Sequence, residues 1–433
     1  MSDYMFMLES HLTGPQNHAL AQVVSVAQDV GINIFLSGGA VRDMLGGFAV
    51  RDLDFVVEGN PSKLTKALLQ AGAVQIDADD LRKAIEFRFP TGVAVGIAMS
   101  AREKYAKAGG KPQMVAAPIY DHLRTRDFTV NAIALSLNRG SRGLLIDPTN
   151  GISDLNQREL RTISNYTLYD NPARILRLIR LQVRLGFTIE PRTQQQYANV
   201  REAGIEQMLG PDALRQELVR CANEPNPGDL MKALDQENLL RLFSPALTGA
   251  KINHAGFQKL QKAMQLIPYG IDINADMRGI FLTVLTERLT PKERSAFAKA
   301  SGLTRQDTDQ WQKLEPRAKK LEKQLAAAGL NRASQVYALL ASRPGDEILF
   351  LLCRSNQRLV LDRLRNHLQK YLLTAQEVTQ TDVVAKGGKP GTPKFDVIRK
   401  ELIAARLDGR IRKPAPPPVV EPPVVAAAQR RFN

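Results

Sequence analysis

Two aspartates separated by a single residue are the strongest chemical feature of the sequence. Asp52 and Asp54 lie in residues 51–57, where polar and apolar side chains alternate. This alternation predicts a β-strand, and because side chains of a strand alternate between its two faces, both carboxylates point the same way. Neighbouring carboxylates repel each other unless a cation lies between them. Divalent metal ions about 4 Å apart commonly occupy such a face, which suggests nucleotidyl transfer.

A glycine pair ahead of these acids predicts a phosphate-binding turn. The apolar residues 34–36 predict a buried strand, and Gly38 and Gly39 follow it closely. Residues 41–45 predict a short helix whose N-terminal N–H groups face the turn. We expect Gly38, Gly39 and Arg42 to contact a triphosphate, and Asp43 to orient the Arg42 guanidinium.

Two simpler interpretations of these residues are also open. An isolated Asp-x-Asp is most often a pair of solvated carboxylates, and a glycine pair can begin a dinucleotide-binding turn. The Gly-x-Gly-x-x-Gly pattern of that turn is absent, and the acids follow sooner than its roughly 20-residue spacing requires. The order of glycine turn, helix and acidic strand therefore favours a Mg²⁺ site with Asp52 and Asp54 as ligands and catalytic residues.

Four ordered elements across roughly residues 35–187 resemble the class II tRNA nucleotidyltransferase and bacterial poly(A) polymerase family, within the polymerase-β-like nucleotidyltransferases. Residues 38–54 are similar to its Gly-Gly-x-Val-Arg-Asp and Asp-x-Asp elements. Residues 126–132 resemble its Arg-Arg-Asp-Phe-Thr-Ile-Asn-Ala, with Thr125 in place of the first arginine. Residues 147–155 are similar to its Asp-Pro-x-x-Gly-x-x-Asp-Leu, and residues 170–187 to its base-recognising helix.

This resemblance implies an α/β head of the polymerase-β-like nucleotidyltransferase type, followed by an all-α neck, body and tail. We expect a catalytic head at residues 18–160 and a base-recognising, RNA-binding neck at residues 161–225. An RNA-binding body and tail would occupy residues 226–410, and a disordered Pro/Val-rich segment residues 411–433. Periodicity alone predicts only a long helical region after about residue 165.

The resemblance also assigns nucleotide contacts beyond the glycine turn. Arg126, Asp127 and Asn131 would contact the ribose and phosphates, although Asp127 could instead brace the fold. Arg174 would recognise the base edge, helped by Asn171 or Asp170. The predicted nucleotide-binding set is therefore Gly38, Gly39, Arg42, Arg126, Asp127, Asn131, Asp170, Asn171 and Arg174, with ATP and CTP as nucleotides and Mg²⁺ as cofactor.

The sequence departs from the family pattern at two positions. The family's Glu-Asp-x-x-Arg becomes Asp170-Asn171-x-x-Arg174, which removes a charge from the base-recognising edge; Asn171 is equally well suited to cap the helix that follows. Gly96 stands where many relatives carry an acid. Glu86 could replace that acid, but we expect it to be an exposed strand residue.

Composition limits the partners and the location of the chain. Its 433 residues carry a net charge of +15, from 59 basic and 44 acidic residues, which favours an anionic partner such as a folded RNA. The two cysteines do not suggest a disulfide scaffold. No apolar run is long enough to span a bilayer, and the N-terminus does not resemble a signal peptide, so we expect a cytoplasmic protein without membrane contact.

The sequence therefore predicts a template-independent RNA nucleotidyltransferase. Addition of CCA to tRNA 3′ ends from CTP and ATP is the favoured activity, with poly(A) addition, A addition or CC addition as alternatives. A different class also remains open, because the altered base-recognising motif and Gly96 are compatible with a non-catalytic RNA-binding protein.

Overall fold

The computed structural model describes residues 4–268 and 270–409, and these form two compact units. The first unit contains residues 4–265 and 274–316, and the second contains residues 266–268, 270–273 and 317–409. The predicted Pro/Val-rich segment at residues 411–433 lies outside the described residues. The predicted division into head, neck, body and tail stays a prediction.

A mixed seven-stranded sheet forms the centre of the first unit, with strand order β3-β4-β5-β2-β1-β8-β9. The strands in chain order are β1 Ile34–Ser37, β2 Leu53–Val57, β3 Val74–Asp79, β4 Ala84–Arg88, β5 Ala94–Met99, β6 Ala101–Lys104, β7 Gln113–Ala116, β8 Ala134–Ser136, β9 Leu145–Ile146, β10 Glu159–Leu160 and β11 Thr188–Ile189. Within the sheet, β2 and β5 are parallel and the other neighbours are antiparallel. Strand β2, which contains Asp54 and directly follows Asp52, is therefore near the middle of the sheet.

Helices surround the sheet and account for most of the later chain. They are α1 Tyr4–His11, α2 Gly14–Asp29, α3 Gly39–Leu45, α4 Ser62–Gln70, α5 Ile119–Leu123, α6 Gly151–Gln157, α7 Thr167–Asp170, α8 Ala173–Leu185, α9 Pro191–Glu202, α10 Pro211–Ala222, α11 Pro227–Gln236, α12 His254–Met264, α13 Met277–Thr286, α14 Pro291–Ala300, α15 Arg305–Ala326, α16 Ala333–Ala341, α17 Gly345–Arg354, α18 Arg358–Asn366, α19 Leu372–Gln376, α20 Gln380–Ala385 and α21 Pro393–Leu407. The predicted α/β head followed by a helical remainder is confirmed.

Apolar side chains cover both faces of the sheet. The larger cluster contains Leu53 and Phe55 of β2 with residues of α2 and α3, and the smaller one contains Val56 with Ile119 and Leu123 of α5. Because side chains alternate along a strand, Asp54 is on the same face as Val56. The acids therefore lie beside the smaller cluster, on the face of the sheet that α5 covers.

The second unit has an apolar cluster of its own. Ala375, Val378, Val383 and Ile403 are buried together, with side chains of α16 and α21 packed around them. None of the helices in the described ranges is long and apolar enough to cross a membrane.

Two predicted elements begin at different residues from those expected. The strand predicted at residues 51–57 begins at Leu53, so Asp52 precedes it, and the helix predicted at residues 41–45 begins at Gly39. Both differences arise at glycine or charged residues next to the site, where local propensity is weakest and tertiary contacts decide the boundary.

Candidate nucleotide and metal site

Asp52 and Asp54 are both exposed. Leu53, which lies between them, and Phe55, which follows Asp54, are each only 1% exposed. The strand therefore directs the two carboxylates to one accessible face, as the alternation of residue types predicts. In the described chain, neither carboxylate has a hydrogen bond or an ion pair with another residue. Two adjacent acids without a protein partner leave their oxygen atoms available to a cation.

The ionisation of Asp54 supports this interpretation. The protein around its carboxylate, followed by the nearby Asp52, raises the pKa of Asp54 above its usual value, although Arg126 opposes the shift. The side chain is exposed, so partial enclosure by the surrounding protein atoms rather than complete burial causes the shift. A divalent cation would relieve the repulsion between the two acids.

Gly96 on β5 is directly beside Asp54 in the sheet, and its lack of a side chain is required there. A Cβ atom at position 96 would be 2.5 Å from the Asp54 Oδ1 atom. The Asp54 carboxylate therefore occupies the space that an acid at position 96 would need. Position 96 could carry a carboxylate only if the Asp54 side chain moved.

Glu86 pairs with Gly96 from the other side, in strand β4, and it is exposed as expected. Burial and the charges of Asp77, Asp54 and Asp52 raise the pKa of Glu86. However, no group of three or more Asp, Glu, His or Cys residues within the described ranges is arranged to hold a metal ion. The donor set thus fits Mg²⁺ through two carboxylates, with substrate phosphates and water as the remaining ligands.

The glycine turn requires Gly38 for two separate reasons. Its φ angle of 75° is in the region that favours glycine, and a Cβ atom there would lie 2.7 Å from the Arg126 Nη2 atom. The Arg126 guanidinium therefore packs directly over the turn, and its charge is near enough to lower the pKa of Asp54. The predicted triphosphate-contacting residues Gly38 and Arg126 are thus adjacent, while Gly39 begins α3.

His122 orients Arg126 from within α5. Its Nδ1–H donates to the Ala101 carbonyl oxygen at 2.8 Å, which leaves Nε2 as an acceptor 3.4 Å from the Arg126 Nη1 atom. Burial and the positive charge of Arg126 lower the pKa of His122 to about 4. The imidazole is therefore neutral near pH 7 and can accept from the guanidinium without repelling it.

Arg42 is buried and bonded within the protein rather than free to contact a phosphate. It donates to the Asp43 carboxylate at 2.7 Å and 2.9 Å, and to the Asn131 side-chain oxygen at 2.6 Å. The Asn131 amide in turn donates to Asp127 at 3.0 Å. These four residues form a buried brace beneath the glycine turn, and their predicted nucleotide contacts stay predictions.

The arginines of α8 face acids instead of solvent. Arg177 binds Asp127 at 2.7 Å and Glu217 at 3.0 Å, and Arg180 binds Glu224 at 2.6 Å. Arg184 continues the series by binding Asp43 at 2.5 Å. This helix therefore braces the head, and its basic stripe is not an open surface for RNA.

The three residues predicted to recognise a base are close together at the start of α8. Arg174 is 6% exposed and donates to the backbone oxygen of Thr167 at 3.3 Å. The side-chain oxygen of Asn171 accepts from the Ala173 backbone N–H at 3.2 Å, so Asn171 caps the helix. Burial raises the pKa of Asp170.

The sequence interpretation missed Glu103, Tyr105 and His122, which contact the predicted site residues Arg174, Asn171 and Arg126. It also missed Glu217, which contacts Arg177 of α8. Glu103 on β6 and Tyr105 just beyond its end had a usable signal, since residues two apart in an extended chain share a face. Glu217 gave no local signal, because only tertiary packing brings it to Arg177.

A glycine turn, an adjacent arginine and two carboxylates without a partner among the described residues thus lie together on the mixed sheet of the head. A family model described as the Poly A polymerase head domain matches residues 34–161. This match covers the head of the chain, and the motifs of residues 35–187 resemble those of the class II tRNA nucleotidyltransferase and poly(A) polymerase family.

The chain is similar to two curated relatives over different lengths. It is 23% identical over 419 residues to the A-adding tRNA nucleotidyltransferase of Geobacter sulfurreducens, which covers 94% of this chain and 47% of that protein. It is 34% identical over 239 residues to the CCA-adding enzyme of Marinobacter nauticus, covering 52% and 59% of the two chains. The chain spans about half the length of the curated relatives it matches.

Among solved structures, the chain resembles the Thermotoga maritima CCA-adding enzyme complexed with tRNA_CCA. The TM-score is 0.51 at 23% identity, and the match covers 95% of this chain and 96% of that one. A likeness at this identity shows the fold alone.

Proposed function

We propose that this protein is an enzyme that adds nucleotides to the 3′ end of tRNA without a nucleic-acid template, using CTP and ATP with Mg²⁺. The observation that carries the proposal is the unpartnered pair Asp52 and Asp54 beside the glycine turn and Arg126. The head-domain match and the similar proteins add support, since those relatives are named as a tRNA nucleotidyltransferase and a CCA-adding enzyme.

In this mechanism the carboxylates of Asp52 and Asp54 hold the metal ions. Mg²⁺ at this position would lower the pKa of the RNA 3′-hydroxyl and neutralise charge on the triphosphate. Arg126 donates to the phosphates from its position over Gly38, and His122 keeps its guanidinium oriented. Most of the rate enhancement then comes from positioning and charge compensation, because no covalent bond to the protein is needed.

The buried brace of Arg42, Asp43, Asn131 and Asp127 contributes rigidity rather than direct chemistry. It holds the first turn of α3 in place, so that the backbone N–H group of Gly39 can donate to a phosphate, whereas the Gly38 N–H already donates to the Ile133 backbone oxygen at 3.2 Å. Arg174 recognises the base edge from the start of α8.

CCA addition is the favoured product, and A addition is the second candidate. The relative from Geobacter sulfurreducens, which matches nearly the whole chain, is named as A-adding. The loss of the acid at Asn171 also changes the group that would face the exocyclic amine of cytosine or adenine. Poly(A) and CC addition differ from these in the number and identity of nucleotides incorporated.

The test uses the purified full chain with Mg²⁺ and each labelled nucleotide. Three tRNA substrates are offered, which end at the discriminator base, at C and at CC. We expect CCA on the first substrate and completion of the other two. Addition of A to the CC-ending tRNA alone indicates A addition, CC on the first substrate alone indicates CC addition, and A runs on any RNA indicate a poly(A) polymerase.

A non-catalytic RNA-binding protein would give a different result. It would bind tRNA but incorporate none of the four nucleotides, with Mg²⁺ or with Mn²⁺. That outcome would overturn the proposed activity while leaving the fold and the family assignment intact.

A further inference from the structure

The Arg174 guanidinium is held by the head strand β6, far from it in sequence. Its Nη2 atom donates to the Glu103 Oε2 atom at 3.2 Å and to the Thr125 backbone oxygen at 3.3 Å. Its Nε–H is buried and has no partner among the described residues. A buried donor without a partner is costly, so an acceptor supplied by a ligand would be favoured there.

Asn171 cannot replace the acid that the family carries at its position. Its side-chain oxygen already accepts from the Ala173 backbone, and its amide group donates to the Tyr105 hydroxyl at 3.3 Å. Asn171 therefore presents a donor, whereas an aspartate would present two acceptors. The negative charge that an aspartate at position 171 would place beside Arg174 therefore has to come from another residue.

Glu103 supplies that charge. It is hydrogen-bonded to Arg174 and, through Tyr105, connected to Asn171. The Tyr105 hydroxyl donates to the Glu103 Oε2 atom at 2.8 Å, so this one oxygen atom receives bonds from Tyr105 and from Arg174. The other oxygen, Oε1, accepts from Arg82 at 3.2 Å. Both carboxylate oxygens are thus fixed, and the side chain is only 18% exposed.

Glu103 is ionised in this setting. Burial by itself would raise the pKa of Glu103, but the positive charges of Arg174 and Arg82 outweigh burial and hold it below its usual value. The charged acid then orients Arg174 through a charge-assisted hydrogen bond, which is roughly twice as strong as a neutral one.

We propose that Glu103 is the positioning residue that sets nucleotide selectivity in this chain, in place of the acid missing at Asn171. The inference rests on the proposed function, since it concerns recognition of the nucleotide base. In cytosine and adenine, the ring nitrogen beside the exocyclic amino group accepts hydrogen bonds. In uracil and guanine, the corresponding ring nitrogen lies beside a carbonyl group and carries a hydrogen, so it donates instead. A fixed arginine donor therefore favours CTP and ATP over UTP and GTP.

The test is equilibrium binding of each of the four nucleoside triphosphates to the full chain with Mg²⁺, by calorimetry and without RNA. The wild type is expected to bind CTP and ATP more tightly than UTP and GTP. Glu103→Gln keeps the shape and removes the charge, so we expect the selectivity ratio to decrease about tenfold. Adding Asn171→Asp to that variant returns an acid beside Arg174 and should restore most of the ratio.

Selectivity that is equal in the wild type and in Glu103→Gln would overturn the proposal, as would a wild type without selectivity. Restoration by Asn171→Asp separates positioning from general support of the fold, because a purely structural loss would not be repaired by moving the charge. Binding without RNA also separates this inference from the proposed function: selective binding with no transfer to tRNA leaves the inference standing and overturns only the activity.

Two further variants keep the test decisive. Arg102→Gln changes the exposed neighbour of Glu103 on β6, which is ion-paired with Asp121 at 4.0 Å and, within the described part of the chain, has no hydrogen bond to Arg174. Its selectivity should equal that of the wild type, and a matching loss there would overturn the specific role of Glu103. If Glu103→Gln does not fold in thermal melts, Tyr105→Phe removes one donor to the same carboxylate; a two- to fivefold loss of selectivity supports the proposal, and an unchanged ratio overturns it.

Discussion

The acids around the glycine turn and those facing α8 are used in opposite ways. Asp52 and Asp54 are exposed and have no protein partner in the part of the chain that the structure describes. Asp127 and Glu217 are buried, and each is ion-paired with Arg177. The first pair is arranged for a ligand, whereas the second compensates arginines inside the protein.

This difference shows that membership of a motif does not define a residue's role. Asp54 and Asp127 both lie in elements that the family resemblance assigns to the nucleotide. A carboxylate pair without a partner destabilises the folded state, whereas a buried acid with several charge-assisted hydrogen bonds does not. The partners, which only the structure reveals, separate a binding residue from a bracing one.

Removal of either exposed acid should have the largest effect on activity. We expect Asp52→Asn or Asp54→Asn to lower kcat by about 1,000-fold or more, because metal binding contributes several kcal/mol to the transition state. Affinity for tRNA, measured by filter binding, should change little. Asp29→Asn, which alters an exposed acid at the end of α2, is the matched control, and wild-type turnover in both site variants would contradict the metal assignment.

Replacement of the buried acid Glu217 should mainly lower the free energy of unfolding, whereas replacement of the exposed acids mainly lowers kcat. Glu217→Gln leaves the buried arginines Arg177 and Arg180 undercompensated, so we expect the free energy of unfolding to decrease by about 3–5 kcal/mol in urea titrations. Glu202→Gln, on an exposed part of α9, should stay within about 0.5 kcal/mol of the wild type. An unchanged urea midpoint for Glu217→Gln would show that the ion pairs do not stabilise the fold.

The contributions of Glu217 and Asp54 to the free energy of unfolding should change with pH in opposite directions. Burial alone would raise the pKa of Glu217, but Arg177, Arg220 and Arg180 lower it to about 2. Because this value is below that of the unfolded chain, the stabilisation is complete above about pH 4.5 and is lost as the pH decreases towards 2. This stabilisation by ionised Glu217 is on the order of 3 kcal/mol. The difference in free energy of unfolding between the wild type and Glu217→Gln should therefore decrease as the pH falls from about 4.5 towards 2.

For Asp54 the folded-state pKa is raised, so the ionised acid destabilises the folded state at neutral pH. Asp54→Asn should therefore be slightly more stable than the wild type at pH 7, and this advantage should disappear as the pH decreases through the carboxylate range. Urea unfolding midpoints of the wild type, Glu217→Gln and Asp54→Asn, measured from pH 7 to pH 3, test both expectations. An Asp54→Asn protein less stable than the wild type at pH 7 would contradict the unpartnered state of this acid.

A smaller effect on kcat than that of removing either acid is expected at Gly96. In Gly96→Ala the new Cβ would lie 2.5 Å from the Asp54 Oδ1 atom, so the carboxylate has to move. We expect kcat to decrease by about 10- to 100-fold, since small misplacements of catalytic groups have effects of this size. Ala94→Ser, on the same face of β5, is the control, and equal kcat values for both variants would show that Asp54 tolerates displacement.

Much of the fold and the position of the exposed acids could be predicted from the sequence. The alternation through residues 51–57 places Asp52 and Asp54 on one face regardless of the rest of the chain, because the period of a strand is fixed. Apolar periodicity likewise indicated α8 and the later helices. The predicted starts of α3 and β2 were each wrong by two residues, because contacts rather than propensity set the boundaries at Gly39 and Leu53.

The role of the arginines could not be predicted. Their spacing in α8 suggests a basic stripe, and a net charge of +15 suggests an anionic partner, but four of them bind acids inside the protein. An isolated sequence contains no signal that Glu217, 40 residues later, would reach Arg177. Hence the total charge overstated the surface available to RNA on this helix.

The sequence by itself determined where two acids point and that a glycine turn precedes them, since both follow from local backbone geometry. The tertiary structure alone decided that Asp54 extends over Gly96, that Arg42 is enclosed in a brace, and that Glu103 rather than Asn171 faces Arg174. Strand register and helix packing bring together residues that are 40 to 90 positions apart. Those contacts depend on the whole fold, which no local pattern encodes.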